Sequence, residues 1–281
     1  MTEQQCTLAR PVQITGVGLF LGQPVRLQCL PAPAGSGVVF VRVDLPGRPR
    51  IPVSIENVQG PQRWTALGQG DTEVRMVEHV LAALYGLAID NLVIETTAAE
   101  MPVGDGSART FTVPFLDAGI KPLGTPRKTI SLRAPLGVTD NDVALLALPQ
   151  ADSLDITYIL DYGRHFLRCQ TLTIKCNRET FLQEIAPART YVLRPEVDAF
   201  IKVGLGRGAT PENTLILEED GRMSSPPRFP DECARHKILD MLGDLYLAGS
   251  SISARIIGYK SGHSTNVRLA KAIAEAGAAN P

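Results

Sequence analysis

The chain has 281 residues, of which 44% are apolar, and this length predicts two domains of about 100–150 residues each. Because 28 basic and 29 acidic side chains leave a net charge of −1, no overall field favours nucleic acid or an acidic membrane surface as a partner. A small-molecule partner is therefore expected.

The cysteines and the hydrophobic pattern predict the compartment. The five cysteines form no CxxC pair, and their scattered spacing argues against a disulfide framework and against a cysteine zinc site. The first ten residues are polar, and no run approaches the roughly 18 apolar residues that a membrane span needs. We therefore expect a cytoplasmic protein without stable membrane insertion. We also expect it to be a monomer.

The first half begins as a sheet and then changes period. Alternating apolar residues between Pro/Gly-rich turns predict strands within the first 65 residues, for example at 25–30 and 37–43. Apolar residues at i, i+3, i+4 and i+7 then predict an amphipathic helix at 74–85, followed by a strand at 91–95. The first half is thus predicted to be mixed helix and sheet.

The second half repeats this plan after a predicted linker at 121–126, which carries two prolines and a glycine. The linker places one domain at 1–122 and a second at 127–281. Further elements are predicted as strands at 129–133, 143–148, 156–162 and 172–175, a helix at 232–247 and a strand at 252–259. The two helix–strand units share a polar entry containing a histidine, so they suggest a duplicated unit with a site between its copies.

The helix that begins at Glu232 carries the main candidates for metal chemistry. His236, Asp240 and Asp244 recur every four residues and therefore lie on one face, opposite an apolar face. This pattern is typical of a metal site, although a solvated acidic face with a chance histidine is the alternative. His79 takes the equivalent place in the earlier helix, and two imidazoles with one carboxylate form a known catalytic zinc shell.

Other polar residues suit amide hydrolysis at such a shell, where zinc lowers the pKa of its water to about 7. Glu78 precedes a predicted ligand and is the candidate base. His263 follows a glycine turn and is the candidate proton donor, with Asp244 behind it to fix the tautomer. Thr190 or Lys237 is expected to support the oxyanion. The alternatives are a buried salt bridge for Asp244, a solvated ion for Lys237 and a turn hydroxyl for Thr190.

Several short motifs run in a fixed order over most of the chain. They are GVGL at 16–19, VEHVLAAL at 77–84, IDNLVIE at 89–95, DGSA at 105–108, ARTY at 188–191, KVGLGRGATPENTLIL at 202–217, RHKILDMLGDLYLAG at 235–249 and YKSGHSTN at 259–266. Together they resemble the UDP-3-O-acyl-N-acetylglucosamine deacetylase family, the zinc enzymes of lipid A biosynthesis. The resemblance implies zinc-dependent hydrolysis of the acetamide of this UDP-sugar, with release of acetate.

The family resemblance also implies a fold and a set of roles. It implies an α+β fold of two similar domains, each a two-layer helix/sheet sandwich, with the active site between them. A βαβ insert in the second domain, at about 191–213, is expected to form a passage for the acyl chain. The expected ligands of zinc, which Fe²⁺ could replace, are His79, His236 and Asp240. The other residues are expected in the roles already given: Glu78 as base, His263 as acid, Asp244 behind it, and Thr190 and Lys237 near the carbonyl.

The predicted substrate wall departs from the family at a few positions. The expected substrate contacts are Tyr191, Val197, Phe200, Ile201, Leu205, Gly208, Trp64 and Phe20. For the apolar residues of the insert, plain core packing is the competing interpretation. Phe20 stands where the family usually has His, Trp64 where it has a small residue, and Gly104 where it has a larger apolar one. The alternatives are therefore a paralog that deacetylates another acetamido sugar, or a non-catalytic paralog that binds a sugar nucleotide or acyl ligand.

Overall fold

The computed structural model of the protein describes residues 3–60, 63–163 and 169–278. The α-helices in this part of the chain are α1 (Glu78–Leu87), α2 (Arg109–Ala118), α3 (Arg178–Thr180), α4 (Arg194–Lys202), α5 (Glu232–Leu245) and α6 (His263–Ala278). Other helical turns lie at Ile55–Asn57, Gly70–Thr72, Phe181–Ile185 and Tyr246–Ala248. None of these described helices combines the length and hydrophobicity that crossing a membrane requires.

Strands make up most of the remaining regular structure, so the predicted α+β class is confirmed. In the first half they are β1 (Gln4–Leu8), β2 (Val12–Val17), β3 (Pro24–Pro31), β4 (Val38–Arg42), β5 (Arg50–Pro52), β6 (Ala66–Leu67), β7 (Val74–Arg75), β8 (Leu92–Thr96) and β9 (Ile120–Pro126). In the second half they are β10 (Thr129–Ser131), β11 (Leu136–Asp140), β12 (Val143–Pro149), β13 (Leu154–Leu160), β14 (Gln170–Cys176), β15 (Thr190–Leu193), β16 (Thr214–Leu217) and β17 (Ser251–Tyr259).

The two main sheets have the same topology, as the sequence similarity of the two halves predicts. The first sheet has the order β2-β3-β8-β4-β5 and the second has β11-β12-β17-β13-β14. In each, the third strand follows a long helix, pairs antiparallel with the second strand and pairs parallel with the fourth. The second sheet differs in that β10 also pairs parallel with β17.

The two halves meet where a helix of each packs against the other. In the first half α2 packs on β2 and on α1, while in the second half α5 packs on β13, β14 and α6. Helices α1 and α5 pack against each other. Helix α1 is buried around most of its circumference, including Ala82 and Ala83, and not only along the predicted apolar stripe. The polar side chains at its start, Glu78 and His79, are therefore enclosed as well.

The region predicted as a linker is a strand. Residues 120–126 form β9, which pairs antiparallel with β1 and so connects the two ends of the first half. Prolines are tolerated there because β9 is an edge strand of a two-stranded sheet. The predicted domain boundary itself, between 1–122 and 127–281, stays a prediction.

A βαβ unit lies where the insert is expected. Strand β15, helix α4 and strand β16 follow one another, and the two strands pair in parallel from Thr190↔Thr214 to Leu193↔Leu217. The unit extends a few residues beyond the approximate predicted end at 213, because its second strand spans Thr214–Leu217. The long turn between α4 and β16 contains glycines and Pro211, and these signals mark the end of the helix but not the strand that follows.

Candidate metal centre

The contact between α1 and α5 brings together His79, His236 and Asp240. One nitrogen of each imidazole and one carboxylate oxygen all lie within 4.8 Å of one another. Asp240 Oδ1 lies 3.7 Å from His79 Nε2 and 3.3 Å from His236 Nε2. Two ligands that each lie 2.0–2.1 Å from one tetrahedral ion are about 3.4 Å apart. The two distances from Asp240 are therefore close to the separation that a single divalent ion requires, and all three predicted ligands lie in one cluster.

The protonation of the three side chains also fits a metal. Burial lowers the pKa of His79 to about 3 and also lowers the pKa of His236, so both imidazoles are neutral at pH 7. His236 Nδ1 lies 3.1 Å from the Ala188 carbonyl oxygen, and donation to it leaves the Nε2 lone pair facing Asp240. Burial opposes ionisation of Asp240, but His236 and Lys237 hold its pKa well below the ordinary value. Two neutral imidazoles and one carboxylate form a donor set of the catalytic zinc type.

A glycine permits the close approach of the two helices. A Cβ atom added at Gly243 of α5 would lie 2.1 Å from the backbone carbonyl oxygen of Glu78 on α1. The obstructing atom belongs to helix backbone, so it cannot yield as a flexible side chain would. The absence of a side chain at Gly243 therefore sets the distance between His79 and Asp240.

We expect Gly243→Ala to lower both stability and metal affinity. The added methyl group must push α1 and α5 apart, and overpacking of this kind destabilises proteins by about 1–3 kcal/mol. Thermal unfolding and zinc titration measure the two effects. Gly137→Ala in β11 is the control, since its Cβ would lie 3.9 Å from the nearest carbonyl oxygen, at ordinary contact distance. Unchanged zinc affinity in Gly243→Ala would contradict this role.

A second polar cluster adjoins the metal centre. His263 is the first residue of α6, and its Nδ1 lies 3.0 Å from Asp244 Oδ2 while its Nε2 lies 3.9 Å from Glu78 Oε1. The Asn266 side chain donates to Asp244 Oδ2 at 2.9 Å, and the Thr65 backbone N–H donates to Glu78 Oε2 at 3.0 Å. The imidazole is thus held by Asp244 on one side and faces Glu78 on the other.

The surroundings of Glu78 and His263 raise the pKa of both side chains. Burial raises the pKa of Glu78 to about 7, although the nearby His263 acts in the opposite direction. Burial opposes protonation of His263, but the Asp244 carboxylate outweighs it and raises the pKa of His263 to about 9. At neutral pH the pair can therefore offer a carboxylate that accepts a proton and an imidazolium that donates one.

Lys237 and Thr190, the two residues expected near the oxyanion, both line the same cavity. Lys237 Nζ donates to Asp240 Oδ2 at 2.9 Å and lies 5.8 Å from the centre of the Tyr191 ring. Burial would lower the pKa of Lys237, but Asp240 raises it overall, so the side chain is a charged ion-pair partner rather than a solvated ion. Thr190 is fixed by its backbone N–H, which donates to the Gly106 carbonyl oxygen at 2.8 Å.

The candidate metal ligands His79, His236 and Asp240 line one side of a cavity of about 680 Å³. The opposite wall comes largely from the βαβ unit and is apolar. Six of the predicted substrate contacts line this cavity: Phe20, Tyr191, Val197, Phe200, Ile201 and Leu205. Val192 and Ile216, from the strands of the unit, extend the same apolar surface. The cavity therefore joins a buried polar cluster of histidines and carboxylates to a hydrophobic wall.

Comparison with known proteins supplies the family. Residues 5–275 match the sequence model of the family described as UDP-3-O-acyl N-acetylglycosamine deacetylase. The chain belongs to this deacetylase family. A relative from Anaeromyxobacter dehalogenans (strain 2CP-C), named UDP-3-O-acyl-N-acetylglucosamine deacetylase, is 37% identical over 270 residues, which are 96% of this chain and 87% of the relative.

Two further relatives carry the same name. The one from Nostoc sp. (strain PCC 7120 / SAG 25.82 / UTEX 2576) is 38% identical over 275 residues, covering 96% of this chain and 98% of its own. The one from Pseudomonas entomophila (strain L48) is 37% identical over 276 residues, covering 97% and 91%. The family predicted from the motifs is thus confirmed, and with it the predicted hydrolase class.

Two residues that the deacetylase resemblance placed at the substrate lie elsewhere. Trp64 packs behind Phe20, with ring centroids 4.5 Å apart, and lines a separate cavity of about 180 Å³ beside His263. Gly208 packs against the GVGL motif, where an added Cβ would lie 2.1 Å from the Gly18 carbonyl oxygen. Neither is among the described residues that line the large cavity. Both residues therefore pack behind the wall of the large cavity and do not line it.

The Gly104 departure has a local explanation. Gly104 has a φ of +53°, and an added Cβ would lie 2.0 Å from Thr110 Oγ1. That hydroxyl also donates to Asp105 Oδ1 at 3.2 Å, in the DGSA motif. The glycine is therefore required by the turn that enters α2, and Gly104 itself does not line the large cavity in the described part of the chain.

Sequence reasoning missed Thr65 and Asn266. Asn266 lies one turn after His263, so recognition of α6 would have placed both on one face and next to Asp244. Helix α6 was not predicted, although its apolar residues recur with helical spacing. Thr65 carries no comparable signal, because its contacts reach residues 13, 179 and 198 positions away along the chain.

Proposed function

We propose that the protein hydrolyses the acetamide of UDP-3-O-acyl-N-acetylglucosamine and releases acetate. The observation that carries this proposal is the His79–His236–Asp240 cluster, which shares one cavity with Glu78 and His263. The names of the relatives point to the same substrate. The apolar wall of the cavity suits an acylated sugar better than an unacylated one.

We propose that His79, His236 and Asp240 hold zinc, for which Fe²⁺ could substitute in the same donor set. When bound, the ion polarises the acetamide carbonyl and activates water near neutral pH. Glu78 accepts the proton of the water whose oxygen bonds to the carbonyl carbon. As the carbon–nitrogen bond breaks, His263 donates a proton to the leaving nitrogen, and acetate and the free amine result. Lys237 and Thr190 face the oxygen that carries the developing negative charge.

The insert is proposed to contact the acyl chain. Helix α4 has no fully buried residue, and Ile201 is 65% exposed. Plain core packing, the competing interpretation for these apolar residues, therefore does not explain them well. Phe200 contacts Phe20 with ring centroids 5.7 Å apart, so the aromatic residue that replaces the usual His continues the apolar wall.

The remaining expectations concern location and assembly. We propose that the protein acts as a cytoplasmic monomer on a small-molecule UDP-sugar. Its cysteines Cys6, Cys29, Cys169, Cys176 and Cys233 are all free, which suits a reducing compartment.

The pH dependence of kcat/KM is expected to be bell-shaped. Activity rises with pH as Glu78, with a pKa of about 7, loses its proton, and falls as His263, with a pKa of about 9, loses its own. Positive charge at the metal centre lowers both pKa values, so we expect each limb at or below these positions. A pH–rate series of the wild type and His263→Ala checks this, and a basic limb unchanged in the variant would contradict the assignment.

The substrate is tested by acetate release from two compounds. We expect turnover of UDP-3-O-acyl-N-acetylglucosamine and much weaker turnover of UDP-N-acetylglucosamine, which lacks the acyl chain. Equal turnover of both, or turnover of another acetamido sugar alone, would favour the paralog with a different substrate. Binding of the acylated compound without acetate release would favour the non-catalytic paralog.

A further inference from the structure

Thr65 contacts both members of the proposed proton-transfer pair. Its backbone N–H donates to Glu78 Oε2 at 3.0 Å, and its hydroxyl donates to Asp244 Oδ1 at 2.5 Å. The same hydroxyl oxygen lies 3.3 Å from His263 Nδ1. We propose that Thr65 is a positioning residue that holds the His263 imidazole, through Asp244, in line with Glu78. This inference rests on the proposed deacetylation.

A hydrogen bond fixes the backbone of Thr65 beside the start of α1, the helix that carries the proposed base Glu78. Its carbonyl oxygen accepts from the Val77 backbone N–H at 3.3 Å, directly before α1 begins at Glu78. Thr65 also immediately precedes β6, which pairs with β7. The hydroxyl therefore occupies a defined position relative to Glu78, and it links that position to α5 and α6.

The hydroxyl matters because Asp244 is fully buried. Its Oδ2 faces His263 Nδ1 and the Asn266 amide, and its Oδ1 accepts from Thr65. A buried carboxylate oxygen that loses its donor is costly, so the carboxylate is expected to turn away from its present orientation. The imidazole that it orients would then lose its alignment with the leaving nitrogen.

A direct contact between Thr65 and the substrate is not indicated. Thr65 is 2% exposed, and it is not among the described residues that line the 680 Å³ cavity. A positioning role predicts a change in kcat with KM and metal content unchanged. A role in substrate binding would raise KM instead.

The test compares three variants of the zinc-loaded protein. Thr65→Val keeps the backbone N–H and the shape but removes the hydroxyl, and we expect kcat to fall on the order of 10-fold to 100-fold. Thr65→Ser keeps the hydroxyl and should restore most of the rate. Thr96→Val is the matched control, since it removes another buried hydroxyl, which donates to the Ala98 carbonyl oxygen at 2.8 Å. If Thr65→Val does not fold, Thr65→Ala takes its place.

A double-mutant cycle separates positioning from a general loss of stability. In a His263→Ala background, Thr65→Val should reduce kcat little further, because the group that it positions is gone. Full additivity of the two losses, or a Thr65→Val rate equal to that of Thr96→Val, would overturn the inference.

A measurement independent of turnover keeps the two proposals apart. The Nδ1 proton of His263, hydrogen-bonded to Asp244, should give an NMR signal that shifts in Thr65→Val and not in Thr96→Val. An unshifted signal would overturn the inference even in an active enzyme. If the wild type releases no acetate but the His263 signal still shifts in Thr65→Val, the proposed function is refuted and the positioning of His263 remains supported.

Discussion

Replacing His236 with alanine is expected to abolish both metal binding and acetate release. His236 supplies one of three ligands, and its Nε2 lies 3.3 Å from the Asp240 carboxylate oxygen that shares the site. The two remaining ligands cannot hold the ion firmly. The measurement is zinc content by elemental analysis, together with the rate of acetate release at saturating substrate.

The control for this variant is Lys271→Ala, a truncation of an exposed side chain on α6. It should bind one zinc ion and turn over as the wild type does. A His236→Ala protein that keeps stoichiometric zinc and activity would show that the catalytic ion, if there is one, lies elsewhere. Loss of activity with zinc retained would instead make His236 a catalytic group and not a ligand.

Glu78→Gln is expected to separate catalysis from metal binding. Glutamine keeps an oxygen that can accept from the Thr65 N–H, but it cannot take a proton from the attacking water. General base catalysis contributes about 10²–10⁴-fold, so kcat should fall by that range while zinc content and KM change little. Steady-state kinetics on the zinc-loaded variant, beside its elemental analysis, measure each part.

A surface carboxylate supplies the comparison for Glu78. Glu95 on β8 is partly exposed and pairs with the exposed Arg48; ion pairs at the surface contribute little to stability, so Glu95→Gln should behave as the wild type. If Glu78→Gln keeps its rate, another group must accept the proton. A Glu78→Gln protein with a lowered affinity for zinc would place Glu78 among the residues that support the ligands.

The metal cluster could be predicted because its information is local. His236 and Asp240 share one helix face by their spacing alone, and His79 lies in the first turn of α1, the helix of the similar unit in the first half. The duplication also had a local signal, the helix–strand unit, and the matching order of the two sheets agrees with it. What the sequence could not give was the depth of the contact at Gly243, which depends on two helices far apart in the chain.

The structure differs from the sequence-based interpretation where local signals fit more than one arrangement. The prolines and glycine of 121–126 are typical of a linker, yet a two-stranded edge accepts them because half of its N–H groups need no partner. Trp64 and Gly208 lie close in sequence to true lining residues, but their side-chain directions follow from packing against Phe20 and Gly18. The role of Thr65 could not be predicted because its partners come from α1, α5 and α6.

The central claim is that His79, His236 and Asp240 hold a metal ion on which deacetylation depends. It is tested most directly by acetate release from UDP-3-O-acyl-N-acetylglucosamine before chelation, after removal of metal by a chelator, and after addition of one equivalent of zinc. We expect activity to disappear with the metal and to return with zinc in the wild type but not in His236→Ala. Full activity in the chelated, metal-free protein would contradict the claim.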